Sequence, residues 1–205
     1  MISSYIQEIA LLAVPVLFSI TFHEVSHGYA AFRLGDPTAR NAGRLTLNPI
    51  SHIDPVGLLV LVVTRMIGWA KPVPVDPRYF KNPRQDMMWV SLAGPASNLL
   101  LAVVFAVISR VVPPIAPSSF LYPLAIMLQF MIVINVGLAV FNLIPIPPLD
   151  GSHILQGLLP YEMARSYSKI EPYGFIILLV LVFTRTVNVV IFPVIDFITG
   201  LLMRI

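Results

Sequence analysis

The 205-residue chain contains no cysteine, which excludes disulfides, thiolate metal ligands and a cysteine nucleophile. Charge is scarce too. Asp, Glu, Lys and Arg make up 11% of the residues, against about 25% in a soluble globular domain. So few charges cannot clothe a water-facing surface. No basic patch is interleaved with aromatics, so nucleic acid is not an expected partner. The first apolar run has no basic stretch ahead of it and no small-residue cleavage site after it. That run is therefore expected to stay in the mature chain rather than leave as a signal peptide. Internal repeats, low-complexity stretches and soluble domains are also lacking.

Apolar sequence is abundant. Hydrophobic residues are 57% of the chain and the mean hydropathy is +0.85. Several runs reach the roughly 18 residues that suggest a bilayer span. The expected fold class is an all-α polytopic membrane protein with about four transmembrane helices plus a short re-entrant or buried segment, forming one domain over residues 1–205. The runs cover residues 5–34, 87–109 and 120–144. A fourth starts near Tyr173 and is interrupted by Arg185, Asn188 and Pro193, which predicts a break before the C-terminus. The stretch 56–69, containing Arg65, is too short to span and reads as re-entrant. Alternation in "RLTL" and "PVPV" allows a small β element in the loops, although loop is the favoured reading of both.

Basic residues orient the chain. Arg33, Arg40 and Arg44 follow the first run, Lys71, Arg78, Lys81 and Arg84 precede the second, and Arg165 and Lys169 precede the fourth. The other ends of the runs carry only Arg110 and Arg204. With 56–69 entering and leaving on one side, the positive-inside rule makes the basic side cytoplasmic.

Within the first run stands "HEVSH", residues 23–27. Positions i and i+4 share one helix face, so His23 and His27 can hold one Zn²⁺ at about 2.0–2.1 Å each. Glu24 is turned away by about 100° and can reach a water at the open coordination position. Ionisable groups inside a span cost about 2.5–3.5 kcal/mol each on insertion scales and mark function; the competing reading places them at the helix end among headgroups.

A catalytic zinc normally takes a third protein ligand. His52, Asp54, Asp150 and His153 are candidates, with Asp36, Asp76 and Glu162 behind them. Asp150 stands out because it follows an apolar run in "FNLIPIPPLDG", where prolines break the helix. A hairpin of the second and third runs would bring it to the same side as His23 and His27. His153 is the alternative ligand or an outer partner, with an exposed polar side chain the favoured reading.

HEVSH in an early span, "GPASN" (94–98) in a later one and "NLIPIPPLDG" (142–151) after a third resemble the site-2 protease family of intramembrane zinc metalloproteases. The resemblance covers about residues 5–172, with the three signatures in the expected order. It implies one Zn²⁺ per chain held by His23, His27 and Asp150, with Glu24 as general base and Asn98 and Asn142 lining the site. It also implies peptide-bond hydrolysis in or near transmembrane segments of membrane-protein substrates. The expected partners are a substrate helix and the lipid bilayer. The expected location is a prokaryotic plasma membrane, with the site towards the cytoplasm. The "GRLTLNP" and "HIDP" stretches are similar to the short bacterial and archaeal branch, and the chain departs from better-known members in having no inserted PDZ domain. The rival reading is a membrane metal-binding protein or transporter. Glu24 speaks against that reading, because a carrier has no need of a base beside two histidines.

Overall fold

The computed structural model describes residues 2–57, 59 and 69–204. The stretch 56–69 read as re-entrant therefore lies mostly outside the described residues.

The first helix, α1 (Ile2–Arg33), is long, apolar and continuous through Pro15. Its end is written in "LGDP": Gly35 adopts φ 110°, a conformation that costs an L side chain but not glycine. The Asp36 amide then donates to Ala31 O at 2.9 Å and the Gly35 amide to Phe32 O at 3.2 Å. These paired bonds close the last carbonyls of the helix. A four-residue turn of helix, α2 (Thr38–Asn41), follows.

Three further long stretches complete the membrane framework. Helix α3 spans Pro83–Val111 and α4 spans Tyr122–Asn142. Two short helices, α5 (Asp150–Leu158) and α6 (Tyr161–Ser168), lead to α7 (Gly174–Phe183) and α8 (Thr186–Arg204). Four stretches are long and apolar enough to cross a bilayer: Leu11–Arg33, Pro83–Val111, Tyr122–Asn142 and Tyr161–Phe183. The chain is an integral membrane protein. The fourth stretch is composite, since it contains α6, a turn and α7. The expected break falls at Arg185, which takes φ 58°. Pro193, also expected to interrupt, lies inside α8.

Helix α3 is the centre of the bundle and packs against α1, α4, α5 and α8. Ala102 and Ala106 of α3, Ile132 and Val136 of α4 and Leu202 of α8 form one buried cluster. Ala31, Phe80 and Val90 form a second. Lipid tails are as apolar as leucine, so close contact of small side chains and interhelical hydrogen bonds hold such helices together. Alanines, serines and asparagines at these contacts fit that rule.

Among the described residues no strand forms. Arg44–Leu47 and Pro72–Val75 are loop, and the lone β-bridge joins Ile53 to Ala70. The loops are nonetheless pinned. Buried Asp36 accepts from the amides of Thr38 at 2.9 Å and Asp76 at 2.8 Å. Arg44 donates to Lys71 O at 2.7 Å, and the Lys71 amide to His52 O at 2.9 Å. On α1, Gly28 leaves room for Leu45 and Val73: a Cβ there would meet their side chains at 2.7 and 2.9 Å. The loop layer therefore lies directly on α1, one residue past His27.

Candidate metal centre

Helix α1 runs antiparallel to α3, so His27 sits beside Val90 and His23 beside Asn98. The His27 Nδ1–H donates to Val90 O at 2.8 Å. On His23, Nδ1 lies 2.5 Å from Asn98 Oδ1. Both contacts require a proton on Nδ1, because carbonyl oxygens only accept. Each ring thus turns the Nε2 lone pair inward. The two Nε2 atoms are 3.0 Å apart.

Asp150 arrives from the other end of the fold, as the first residue of α5. The turn "LIPIPP" carries the chain back beneath α4, and Gly151 packs straight onto the backbone of Leu143 and Ile144. That contact seats Asp150 Oδ2 at 3.2 Å from His23 Nε2 and 3.3 Å from His27 Nε2. The floor of the site is Gly94 of α3. A Cβ at Gly94 would run into the His27 imidazole and would meet His23 Cε1 at 2.7 Å. Glycine at the head of "GPASN" is required by the two rings it faces.

The three donors fit a metal ion. Their separations of 3.0, 3.2 and 3.3 Å match the roughly 3.3 Å edge of a tetrahedron with metal–ligand distances of about 2.0 Å. Asp150 Oδ2 is buried and has no hydrogen-bond partner. Three electron-rich atoms facing one point, one of them orphaned, call for a cation. Among the described residues, these three form a group able to hold an ion.

Glu24 is not one of the three converging groups. Its Oε2 accepts from the Val73 amide at 2.8 Å, so the loop layer holds one carboxylate oxygen, and among the described residues the other makes no hydrogen bond. Asn142 donates to Leu138 O on its own helix at 2.9 Å and makes no hydrogen bond to His23, His27 or Asp150. His52 bonds Thr46 O at 2.9 Å and staples the loop. His153 borders two shallow clefts, one beside Pro147 and Glu171, the other beside Arg84 and Gln156. Neither histidine joins the group. In the loops, backbone donors led by Gly57 hold the Asp54 carboxyl below the usual range, and the Arg78 guanidinium does the same for Asp76. Both act as loop caps, away from the three donors.

Sequence reasoning missed a polar set above the site. Asn135 of α4 is fully buried, and so is Ser19 of α1. Asn98 Nδ2 donates to Asn135 Oδ1 at 2.7 Å, and Asn135 Nδ2 donates to Ser19 Oγ at 2.8 Å. An asparagine in the middle of an apolar span was the available signal, since such groups need a partner in lipid.

Comparisons with known proteins bear on this arrangement. Residues 118–184 match peptidase family M50, a stretch that includes Asp150. The chain is 40% identical over 188 residues to "Putative zinc metalloprotease YwhC" of Bacillus subtilis (strain 168), covering 90% of this chain and 85% of that one. It is 34% identical over 189 residues to "Putative zinc metalloprotease Rip2" of Mycolicibacterium smegmatis, covering 90% and 71%. "Zinc metalloprotease MJ0392" of Methanocaldococcus jannaschii is 25% identical over 150 residues, covering 73% of this chain and 34% of that one. No solved structure gives a significant match. Identity at this level over nearly the whole length, with a donor set fit for zinc, means that the chain belongs to peptidase family M50, the site-2 protease family of zinc metalloproteases.

Proposed function

We propose that this chain hydrolyses peptide bonds in or beside transmembrane segments of membrane-protein substrates, with His23, His27 and Asp150 as the ligands of one zinc ion. The observation that carries the reading is the convergence of those three donors from α1 and α5 with Glu24 on the adjoining face of α1. When bound, zinc supplies a Lewis acid that polarises a carbonyl and makes a water acidic.

The chain's own residues do the rest. Glu24 takes the proton from the attacking water on its free oxygen, while the Val73 amide fixes the other. The same carboxyl then returns the proton to the leaving amine. Asn98 and Val90 hold the two imidazoles in the tautomer that leaves Nε2 free. Asn142 ends α4 beside the turn to Asp150 and lines the approach for substrate. The bundle shields the site from bulk lipid, and the polar loop layer over α1 admits water. A substrate helix must unwind locally, because an intact helix hides its carbonyls in its own hydrogen bonds. Basic residues flanking the ends of α1, α3 and α6 support a cytoplasmic position for the site in a prokaryotic plasma membrane.

Glu24→Gln separates the jobs. It keeps size and hydrogen bonding but cannot accept the proton. Purified Glu24→Gln protein should keep about one zinc per chain while cleavage of a transmembrane substrate falls to background. His23→Ala and Asp150→Ala should lose both. Metal analysis beside a cleavage assay on the same preparations decides it, and robust proteolysis by Glu24→Gln removes the mechanism.

A further inference from the structure

The two imidazoles of the centre are oriented in different ways. His27 Nδ1–H is anchored by a backbone carbonyl, Val90 O, which cannot reverse its polarity. His23 Nδ1 faces a side-chain amide, Asn98, which can. Rotating that amide by half a turn presents NH₂ to the ring. An NH₂ group only donates, so His23 would have to accept on Nδ1 and carry its proton on Nε2, where the metal belongs.

What opposes the flip is the Ser19 carbonyl of α1, which accepts from Asn98 Nδ2 at 3.2 Å, together with a fixed amide on α4. Asn135 Nδ2 donates to Met131 O at 2.7 Å and to Ser19 Oγ at 2.8 Å. Met131 O is a backbone carbonyl and accepts only, so the Asn135 amide is fixed with its oxygen towards Asn98. Asn98 must then offer NH₂, which it does to Asn135 Oδ1 at 2.7 Å and to Ser19 O at 3.2 Å. Its own oxygen is left for His23. Polarity therefore runs one way from the Met131 carbonyl through Asn135 and Asn98 to His23 Nδ1, and ends in the Nε2 lone pair. Asn98 and Asn135 are both fully buried, so water cannot substitute for a missing link.

We infer that Asn135 is a positioning residue of the metal centre: through Asn98 it holds His23 in the tautomer that binds metal, without touching the metal or the substrate. The inference rests on His23 being a ligand. Groups at this remove from a metal typically change affinity by about 10–100-fold when removed, and residues acting through one another are non-additive.

The test is a double-mutant cycle on zinc affinity, read by competition with a chelator in detergent-solubilised protein. Asn135→Leu should weaken zinc binding about tenfold or more, and in an Asn98→Leu background it should add almost nothing. Asn135→Asp, as a buried neutral acid, keeps the carbonyl towards Asn98 and an O–H for Met131 O. It should hold zinc within about threefold of the unaltered protein, well inside the loss typical of a removed partner. In zinc-free protein labelled with ¹⁵N-imidazole histidine, Asn135→Leu should shift the His23 signals towards the Nε2–H tautomer and leave those of His27 in place. Equal losses in both backgrounds, or tenfold weakening by Asn135→Asp, would overturn the relay. If Asn135→Leu does not fold, the Asp variant and its tautomer spectrum still decide. His23→Ala is the control. Zinc retained there sinks the ligand assignment, whereas zinc lost there but kept in Asn135→Leu sinks only the relay.

Discussion

The α1–α3–α4 bundle and the α7–α8 arm are similarly apolar in sequence, and they are built differently. Inside the bundle the helices meet through Ser19, Gly94, Asn98, Ala102, Asn135 and Ala139, all buried. Among the described residues, α7 packs mainly on α8 and on the turn before it, with Gly174 at its head set against Pro147. Phe175, Ile176, Val180 and Phe183 stand exposed. Only α8 returns to the bundle, with Ile195, Ile198 and Leu202 on the α3–α4 cluster. Where a polar site must be held in lipid, small and amide-bearing residues pull the backbones together. Where no site is held, bulky side chains face outward.

Glycine tests this contrast most sharply. A Cβ at Gly94 collides with both imidazoles, while one at Gly200 of α8 meets nothing within 4 Å. Gly94→Ala should abolish cleavage and strip most of the zinc, and Gly200→Ala should change neither. Comparable losses in both would erase the distinction. A smaller effect concerns packing. Ile132 is 1% exposed and Phe183 71%. Ile132→Ala should destabilise by about 2–4 kcal/mol, and Phe183→Ala by no more than about 0.5 kcal/mol, read as thermal melting in detergent. Labelling perturbs least. Because the chain has no cysteine, single cysteines at Ser51 and Ser168 report sidedness cleanly. Both should react with an impermeant thiol reagent from the cytoplasmic side; labelling from opposite sides would put the two regions in a different relation.

The legible parts of the sequence were those with a strong local signature. HEVSH fixes its own geometry through the helical repeat. "LGDP" shows where α1 stops, and the prolines before Asp150 show where α4 stops. Arg185 marks a break because a charge interrupts the apolar run there, and the chain turns at that residue with φ 58°. Pro193 misleads as a stop, because an α8 packed through Ile195 and Ile198 keeps its course past one missing backbone hydrogen bond. Long-range partners were harder to read. Asn135 and Asn98 are 37 positions apart, and no local rule pairs them. Val73, whose amide holds Glu24, sits in a loop whose "PVPV" pattern resembles a strand as much as a brace.

Asp150 has a consequence in time. The donors of the centre come from the first long helix and from the turn after α4, with the whole α3–α4 hairpin between them. During synthesis His23 and His27 are made well before Asp150. With His23, His27 and Asp150 as the proposed ligands, a nascent chain carries two of the three donors and an incomplete site. On the proposed ligand set, proteolytic competence begins only once the α3–α4 hairpin and α5 have joined α1.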